Sequence, residues 1–353
     1  MSNLLINLAF VPTKPTGHAV YANNLFPALR DRSPILLSPY ETPGFRTHRI
    51  SDKMNPDHGS KGHLRRLLWN EFRLPQLCNQ LQGNLLFSPI PEMPLFSRCR
   101  SVVTLHDVIP LRFKRRSPLT PYFQHYIPQV LRRAQHVICN SEATARDAVD
   151  YYQIPASKLT VIPMAYDRDH FRVLNLPKGN YYLFLGRPDA YKNIGRTIAA
   201  FAQLKTTLQL WIAGPYDARY SEHLVQQATE LGVGDRVKFL NYVPYSELPK
   251  LINSAVALVF PSLWEGFGFP ALEAMACGTP VITSDLASLP EVTGDAAILV
   301  DPYSVEAIAQ AMAVIDRDPS LCAELRQRGL VRSQQFSWEK TGAMTVAVLD
   351  RYL

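Results

Sequence analysis

The sequence predicts an α/β protein with two doubly wound parallel-sheet domains. Three observations predict it. Short apolar runs do not alternate with polar residues, amphipathic stretches separate them, and the length of 353 residues calls for two domains at about 100 to 200 residues each. A strand without alternation must be covered on both faces, and helices between parallel strands supply that cover.

Taken in order, strands are expected in the first half at residues 4–11, 35–38, 85–88, 101–107, 136–141 and 160–164. The second half repeats the scheme at 181–186, 208–214, 237–242, 257–262, 280–285 and 296–301, with helices at 194–205, 220–231, 246–254, 269–277 and 305–316. Residues 167–180 are polar, carry Pro177 and Gly179 and show no periodicity, which marks a linker. The expected domains are 1–175 and 176–335, followed by a last amphipathic helix at 336–353 opened by Ser337 as cap and Trp338.

Composition bounds the function. With 47% hydrophobic and 19% charged residues the chain is folded rather than disordered. Its five cysteines, Cys78, Cys99, Cys139, Cys277 and Cys322, are scattered and form no C-x-x-C pair, which argues against a disulfide framework or a zinc site. Residues 1–11 lack a basic leader and a cleavage site and read as a first strand. No apolar run reaches the ~18 residues of a spanning helix. The expected location is therefore cytoplasmic, or peripheral at the inner face of a membrane. Residues 1–175 hold 22 Lys and Arg against 12 Asp and Glu, whereas the remainder is mildly acidic. A basic first half faces anions: phosphorylated molecules or an anionic membrane. Its cations are not interleaved with an aromatic RNA-binding pattern, so no nucleic acid is expected.

The densest chemistry lies at 260–281, FPSLWEGFGFPALEAMACGTPV. A strand ends near Ser262, a glycine-bearing loop follows, and Pro270 suits a first helical turn. Amides from Gly266, Phe267, Gly268 and Phe269, with the positive helix end, can hold a diphosphate. Glu265 and Glu273 bracket that loop. A second cluster, Gly186-Arg187-Pro-Asp-Ala-Tyr-Lys192-Asn193, directly follows a strand, and two cations there can grip a diphosphate and stabilise it as it leaves. In the first half His106-Asp107 ends a strand, Gly17 follows the first strand in Pro15-Thr-Gly17, and Ser141 precedes Glu142-Ala-Thr144, where it suits a helix cap.

The 260–281 string resembles the E-x7-E signature of retaining glycosyltransferases of family 4, and a mannosyltransferase-like member in particular. The resemblance implies the GT-B fold: two Rossmann-like domains facing a central cleft, with the last helix returning to the first domain. It implies transfer of a hexosyl unit, with retention, from a nucleotide sugar to a sugar, glycolipid or lipid-linked acceptor in cell-surface polysaccharide or glycolipid synthesis, with GDP-mannose as the leading donor and UDP-, dTDP- and ADP-linked sugars left open. By the same resemblance Glu265 contacts the donor sugar and Glu273 the ribose, while Arg187 and Lys192 hold the diphosphate. Gly186, Gly266, Phe267, Gly268 and Phe269 line that site. His106 lies over the donor sugar, Gly17 approaches the phosphate, and Asp107 and Ser141 face the acceptor. No cofactor is expected beyond the donor, and no metal, because Arg187 and Lys192 supply the positive charge.

Two D-x-D sequences, Asp167-Arg-Asp169 and Asp316-Arg-Asp318, match a metal-binding pattern but fall in the linker and at a helix end. A nucleotide-sugar epimerase on the same fold and an inactive glycosyltransferase-like partner subunit are the alternatives, whereas the absence of a strand-linked G-x-G-x-x-G speaks against a dehydrogenase. Finally, residues 63–73 place Leu64, Leu67, Leu68 and Phe72 on one helical face, expected to meet the core, with Arg66 and Arg73 opposite. With Arg65, Trp69, Lys114, Arg115, Arg116, Arg132 and Arg133, this basic side is the expected contact for an anionic membrane.

Overall fold

The computed structural model describes residues 3–13, 16–114, 117 and 119–353. Pro15, Arg115 and Arg116, named above in the first loop and the basic patch, lie outside the described residues. The chain forms two compact units, Met1–Met164 with Ser337–Leu353, and Ala165–Phe336. The division thus falls ahead of residue 175, because residues 165–174 are held by the second unit. There the Asn253 side chain binds Leu174 N and Arg172 O at 2.8 and 3.0 Å.

The first unit contains a seven-stranded sheet: β1 Asn3–Asn7, β2 Ile35–Ser38, β3 Arg46–Arg49, β4 Gly83–Ser88, β5 Ser101–Leu105, β6 His136–Cys139 and β7 Leu159–Val161. Its order is β3-β2-β1-β4-β5-β6-β7, with every pairing parallel. β2, β5 and β6 are buried along their whole length, as a sheet covered on both faces requires. β3, with sequence RTHR, escapes the apolar reading because it is an edge strand and needs no buried face.

The second unit contains six parallel strands: β8 Tyr181–Leu185, β9 Gln209–Ala213, β10 Val237–Asn241, β11 Ala257–Phe260, β12 Val281–Ser284 and β13 Ile298–Val300. Their order is β10-β9-β8-β11-β12-β13. Chain order runs outward in one direction from β8 and in the other from β11, so the topological switch lies between these two strands.

The final helix, Trp338–Asp350, is capped by Ser337, whose hydroxyl accepts from Lys340 N. It belongs to the first unit. Arg32 donates two bonds to Asp350 at 2.7 and 2.6 Å, Thr341 donates to Pro163 O at 2.7 Å, and Tyr352 meets His136 at 3.1 Å.

The helix Gly59–Phe72 corrects the amphipathic expectation. Leu64, Leu68 and Phe72 are 58%, 51% and 70% exposed, whereas Arg66 and Asn70 are buried. The cause is Glu92, a carboxylate sealed in the interior that demands partners. Arg66 Nε and Nη2 donate to its two oxygens at 2.7 and 2.9 Å, and Asn70 and Tyr122 add bonds at 3.0 and 2.9 Å. Arg66 is thus an interior cation and is unavailable to a membrane. The apolar face that was expected to pack inward points to solvent instead.

Candidate active site

The carboxyl ends of β8 and β11 flank the switch point, where open parallel sheets place ligands. After β8 the chain passes Gly186 and Arg187 to reach Lys192, and after β11 it reaches Glu265. These two arms meet. Lys192 Nζ lies 2.6 Å from Glu265 Oε1, with only 12% and 10% of the two side chains exposed. Lys192 also sits 5.0 Å above the Phe260 ring, a face that attracts a cation. Asn193, buried and with φ of 65°, donates to Pro261 O at 2.9 Å and Pro302 O at 2.7 Å, which locks the β8 arm onto the exit of β11.

Arg187 differs from Lys192 in freedom. Its guanidinium is 3.1 Å from buried Asp189 and also bonds the Tyr191 side chain, yet its side chain is 69% exposed, so it is tethered and still reachable by a ligand. Gly214, at the end of β9, has no room for a side chain: a Cβ there would fall 1.9 Å from Gly186 O. The two strand exits therefore approach backbone to backbone. Beside them lies a cavity of about 240 Å³ lined largely by apolar residues, among them Ile194, Ile212, Pro215 and Phe239, with Ser221 and Asn241 as polar groups.

The loop after β11 leads into the helix Phe269–Ala276, whose cap residue Gly268 offers no side chain to its amides. Gly268 has φ of 102°, and a Cβ would meet Leu289 Cδ2 at 2.7 Å, so only glycine fits. The amino end is left for an anion. Ser288 fixes this loop from below: its buried hydroxyl lies 3.0 Å from Glu265 O and 2.8 Å from Phe267 O. Sequence reasoning missed Ser288, whose sequence neighbourhood carries no motif. Glu273, on the same helix and partly buried, has its pKa pushed up to about 8 by burial.

In the first unit the described part of the first loop leads to Thr16, which caps the helix Gly17–Leu29, and Gly17 itself is exposed. His106 follows β5 and is buried. Its Nε2 lies 2.8 Å from Pro89 O. Burial holds its pKa down at about 3, so the ring is neutral, Nε2 carries the proton and Nδ1 is an acceptor. Burial thus removes the charged form of the ring. The His18 ring stands 4.5 Å away and that of Tyr21 4.9 Å.

Asp107 accepts from Ile109 N at 2.9 Å, a turn bond. Ser141 caps the helix Glu142–Tyr152, is buried, and also donates to Thr144 Oγ1 at 3.0 Å. Its hydroxyl makes that cap within the first unit. Both D-x-D sequences are local structure as well. Asp167 Oδ1 accepts from Asp169 N and His170 N, and Asp318 caps the helix Pro319–Ser333. Among the described residues no group of three or more His, Cys, Asp or Glu side chains is placed to hold a metal ion.

Two parallel-sheet units, one with a cation–carboxylate pair at its switch point beside a helix amino end that no side chain caps, form a doubly wound architecture with a candidate ligand site at that switch point. Comparison with known proteins agrees. The Glycosyltransferase Family 4 profile matches residues 15–170 and that of Glycosyl transferases group 1 matches residues 166–332. The chain belongs to these glycosyltransferases. It is 28% identical over 329 residues to the O-antigen chain mannosyltransferase RfbU of Salmonella typhimurium, covering 90% of this chain and 92% of that one. It is 29% identical over 264 residues to O-antigen chain mannosyltransferase B of Escherichia coli, covering 70% and 69%. Among solved structures, Anabaena HepE in complex with UDP and glucose superposes with a TM-score of 0.77 at 19% identity, over 99% of this chain and 100% of that one.

Proposed function

We propose that this glycosyltransferase moves a mannosyl unit from GDP-mannose to an acceptor hydroxyl on a growing cell-surface polysaccharide or glycolipid, with retention at the anomeric carbon and without a metal. The observation that carries the donor site is the Lys192–Glu265 pair bridging β8 and β11 at the switch point. The relatives named as O-antigen mannosyltransferases support the sugar and the pathway.

In this reading the diphosphate lies against the amides of Gly266, Phe267, Gly268 and Phe269, with Lys192 and Arg187 drawing charge onto it as it departs. Gly186 gives it room, and Glu273 accepts from the ribose hydroxyls. The base enters the cavity beside Gly186 and Gly214. Glu265 orients the sugar hydroxyls, and in the first unit His106 keeps Nδ1 as a hydrogen-bond acceptor. Because Glu265 is already neutralised by Lys192 at 2.6 Å, it is a poor covalent nucleophile. Attack by the acceptor on the leaving-group face, with a phosphate oxygen taking the proton, therefore fits better than a glycosyl-enzyme intermediate. Gly17 keeps the phosphate role that the family resemblance gives it, and Asp107, Ser141 and the first unit serve the acceptor side.

An anionic membrane surface is the second partner. The exposed face of Leu64, Leu68 and Phe72 is flanked by the exposed cations Lys61, Arg65 and Arg73, the pairing of apolar ridge and basic rim that suits an interfacial helix. No described helix is long and apolar enough to cross a membrane.

The test is turnover with a panel of nucleotide sugars and a polysaccharide-primer acceptor, in the presence of a chelator, with the product's anomeric configuration read by NMR. GDP-mannose should give a product of the donor's own configuration. An inverted product removes retention, loss of activity with chelator removes metal independence, and free sugar without any acceptor requirement favours the epimerase. For the membrane, flotation with phosphatidylglycerol vesicles should be lost in the Leu64→Ser/Leu68→Ser/Phe72→Ser variant. Unchanged flotation excludes this face.

A further inference from the structure

Cys78 and Cys99 are far apart in sequence and adjacent in space. Cys78 is buried on the helix Leu74–Gln80, within the cluster of Leu5, Ile35, Leu37, Leu74 and Leu86, and half-buried Cys99 packs against that cluster from the segment before β5. Their sulfurs are 2.9 Å apart. That is closer than non-bonded sulfurs ordinarily approach, and about 0.9 Å of travel reaches a disulfide bond length. Both are thiols. The two sulfurs share a hydrogen bond, and the contact with Cys78 holds the Cys99 pKa below the ordinary thiol value, while the same contact and burial raise that of Cys78. Cys99 is thus the sulfur with both access and thiolate character.

We propose that Cys78 and Cys99 form a reversible oxidation site, closed to a disulfide by exchange with a small-molecule disulfide of the glutathione class. Cys99 thiolate attacks one sulfur of that disulfide, forming a mixed disulfide and releasing one thiolate. Cys78, deprotonated, then attacks Cys99 Sγ, forming the Cys78–Cys99 bond and releasing the second. Two protein thiols are oxidised to one disulfide, one external disulfide is reduced to two thiols, and the two protons lost by Cys78 and Cys99 end on those released thiols by exchange through solvent.

The site has a structural consequence. Cys99 ends the segment joining β4 to β5, residues 89–100. The same segment supplies Pro89 O to His106 and Glu92 to Arg66, and its Leu95 amide is held by Glu71. A bond from Cys99 to the helix Leu74–Gln80 adds, just ahead of β5, a covalent tie between that segment and the helix. The proposal is independent of the identity of the sugar donor.

The test uses the full chain and oxidised glutathione at about pH 8, where thiolate is populated. Thiol titration of the denatured protein and non-reducing peptide mapping should show two thiols lost from the five and a Cys78–Cys99 crosslink that dithiothreitol reverses. The Cys78→Ser variant should stop at a glutathione adduct on Cys99. Limited trypsin cleavage after exposed Arg98 should slow by roughly tenfold on oxidation, because local opening is suppressed. Five remaining thiols, or a glutathione adduct on Cys99 that persists in the unmutated protein, would overturn the proposal.

Discussion

Replacing Lys192 by methionine removes the cation from a pair that is 2.6 Å long and almost closed to solvent. Methionine keeps most of the stem's volume, so the change is chiefly electrostatic. Glu265 is left buried without its counter-charge, and breaking such a pair from one side costs about 3 to 5 kcal/mol. Urea denaturation of the second unit's transition reads this loss directly. The double variant Lys192→Met/Glu265→Gln should recover most of it, since neither charge then remains to be desolvated. Activity follows a different rule. If Lys192 also stabilises the departing diphosphate, kcat of the single variant falls by two to three orders of magnitude, about 3 to 4 kcal/mol of barrier. The assay is run well below the unfolding midpoint, with circular dichroism confirming the fold. A folded Lys192→Met enzyme with kcat within about threefold of the parent, on the same scale, refutes the leaving-group role. Unchanged stability refutes the buried pair.

Glu92→Gln should destabilise the first unit by a similar ~3 to 5 kcal/mol, because Arg66 is left in the interior with a neutral partner. Burial works against the Glu92 carboxylate, but Arg66 more than offsets it and holds the pKa below the ordinary value. This contribution is therefore present above the unfolded pKa near 4.5 and lost as pH falls through the folded one, and acid titration of Tm should show the loss in the parent alone. Glu273 has the opposite sign. Its folded pKa of about 8 lies above the unfolded value, so its stabilising proton is held below about pH 4.5 and lost as pH rises through 8. The stability of the free enzyme should decline over that window, while affinity for a ribose-bearing ligand rises as the carboxylate forms. Both slopes should vanish in Glu273→Gln when measured by thermal unfolding and calorimetry. Ser288→Ala should cost about 1 to 3 kcal/mol by stranding two buried carbonyls, and it should raise the donor KM more than it lowers kcat. An unchanged KM would show that the loop holds its shape without Ser288.

The parallel sheets were legible because their strands are apolar without alternation, as at Val102 and Val103 or Leu258 and Val259, and that pattern has one structural explanation. The arms of the candidate site were legible for a related reason: glycines, cations and carboxylates crowd the ends of β8 and β11, where side chains have no core to fill. The helix Gly59–Phe72 misled because amphipathicity reports a hydrophobic stripe without saying what the other stripe meets. Arg66 turns inward for Glu92, a partner in a different loop, and no local pattern carries that information. Ser288 was hidden likewise, since its value lies in two carbonyls more than twenty residues earlier. The Cys78–Cys99 contact lay beyond spacing arguments, which test for C-x-x-C and cannot see two helix- and loop-borne thiols converge.

The most direct measurement is a crystal structure of the enzyme with the nucleoside diphosphate sugar that most raises its Tm. The diphosphate should lie between the amino end of the helix Phe269–Ala276 and the Lys192 and Arg187 side chains, with Glu273 on the ribose and the base beside Gly186 and Gly214. Density for the diphosphate elsewhere in the second unit, with the Lys192–Glu265 pair undisturbed and out of contact, would contradict the assignment of this switch point as the donor site.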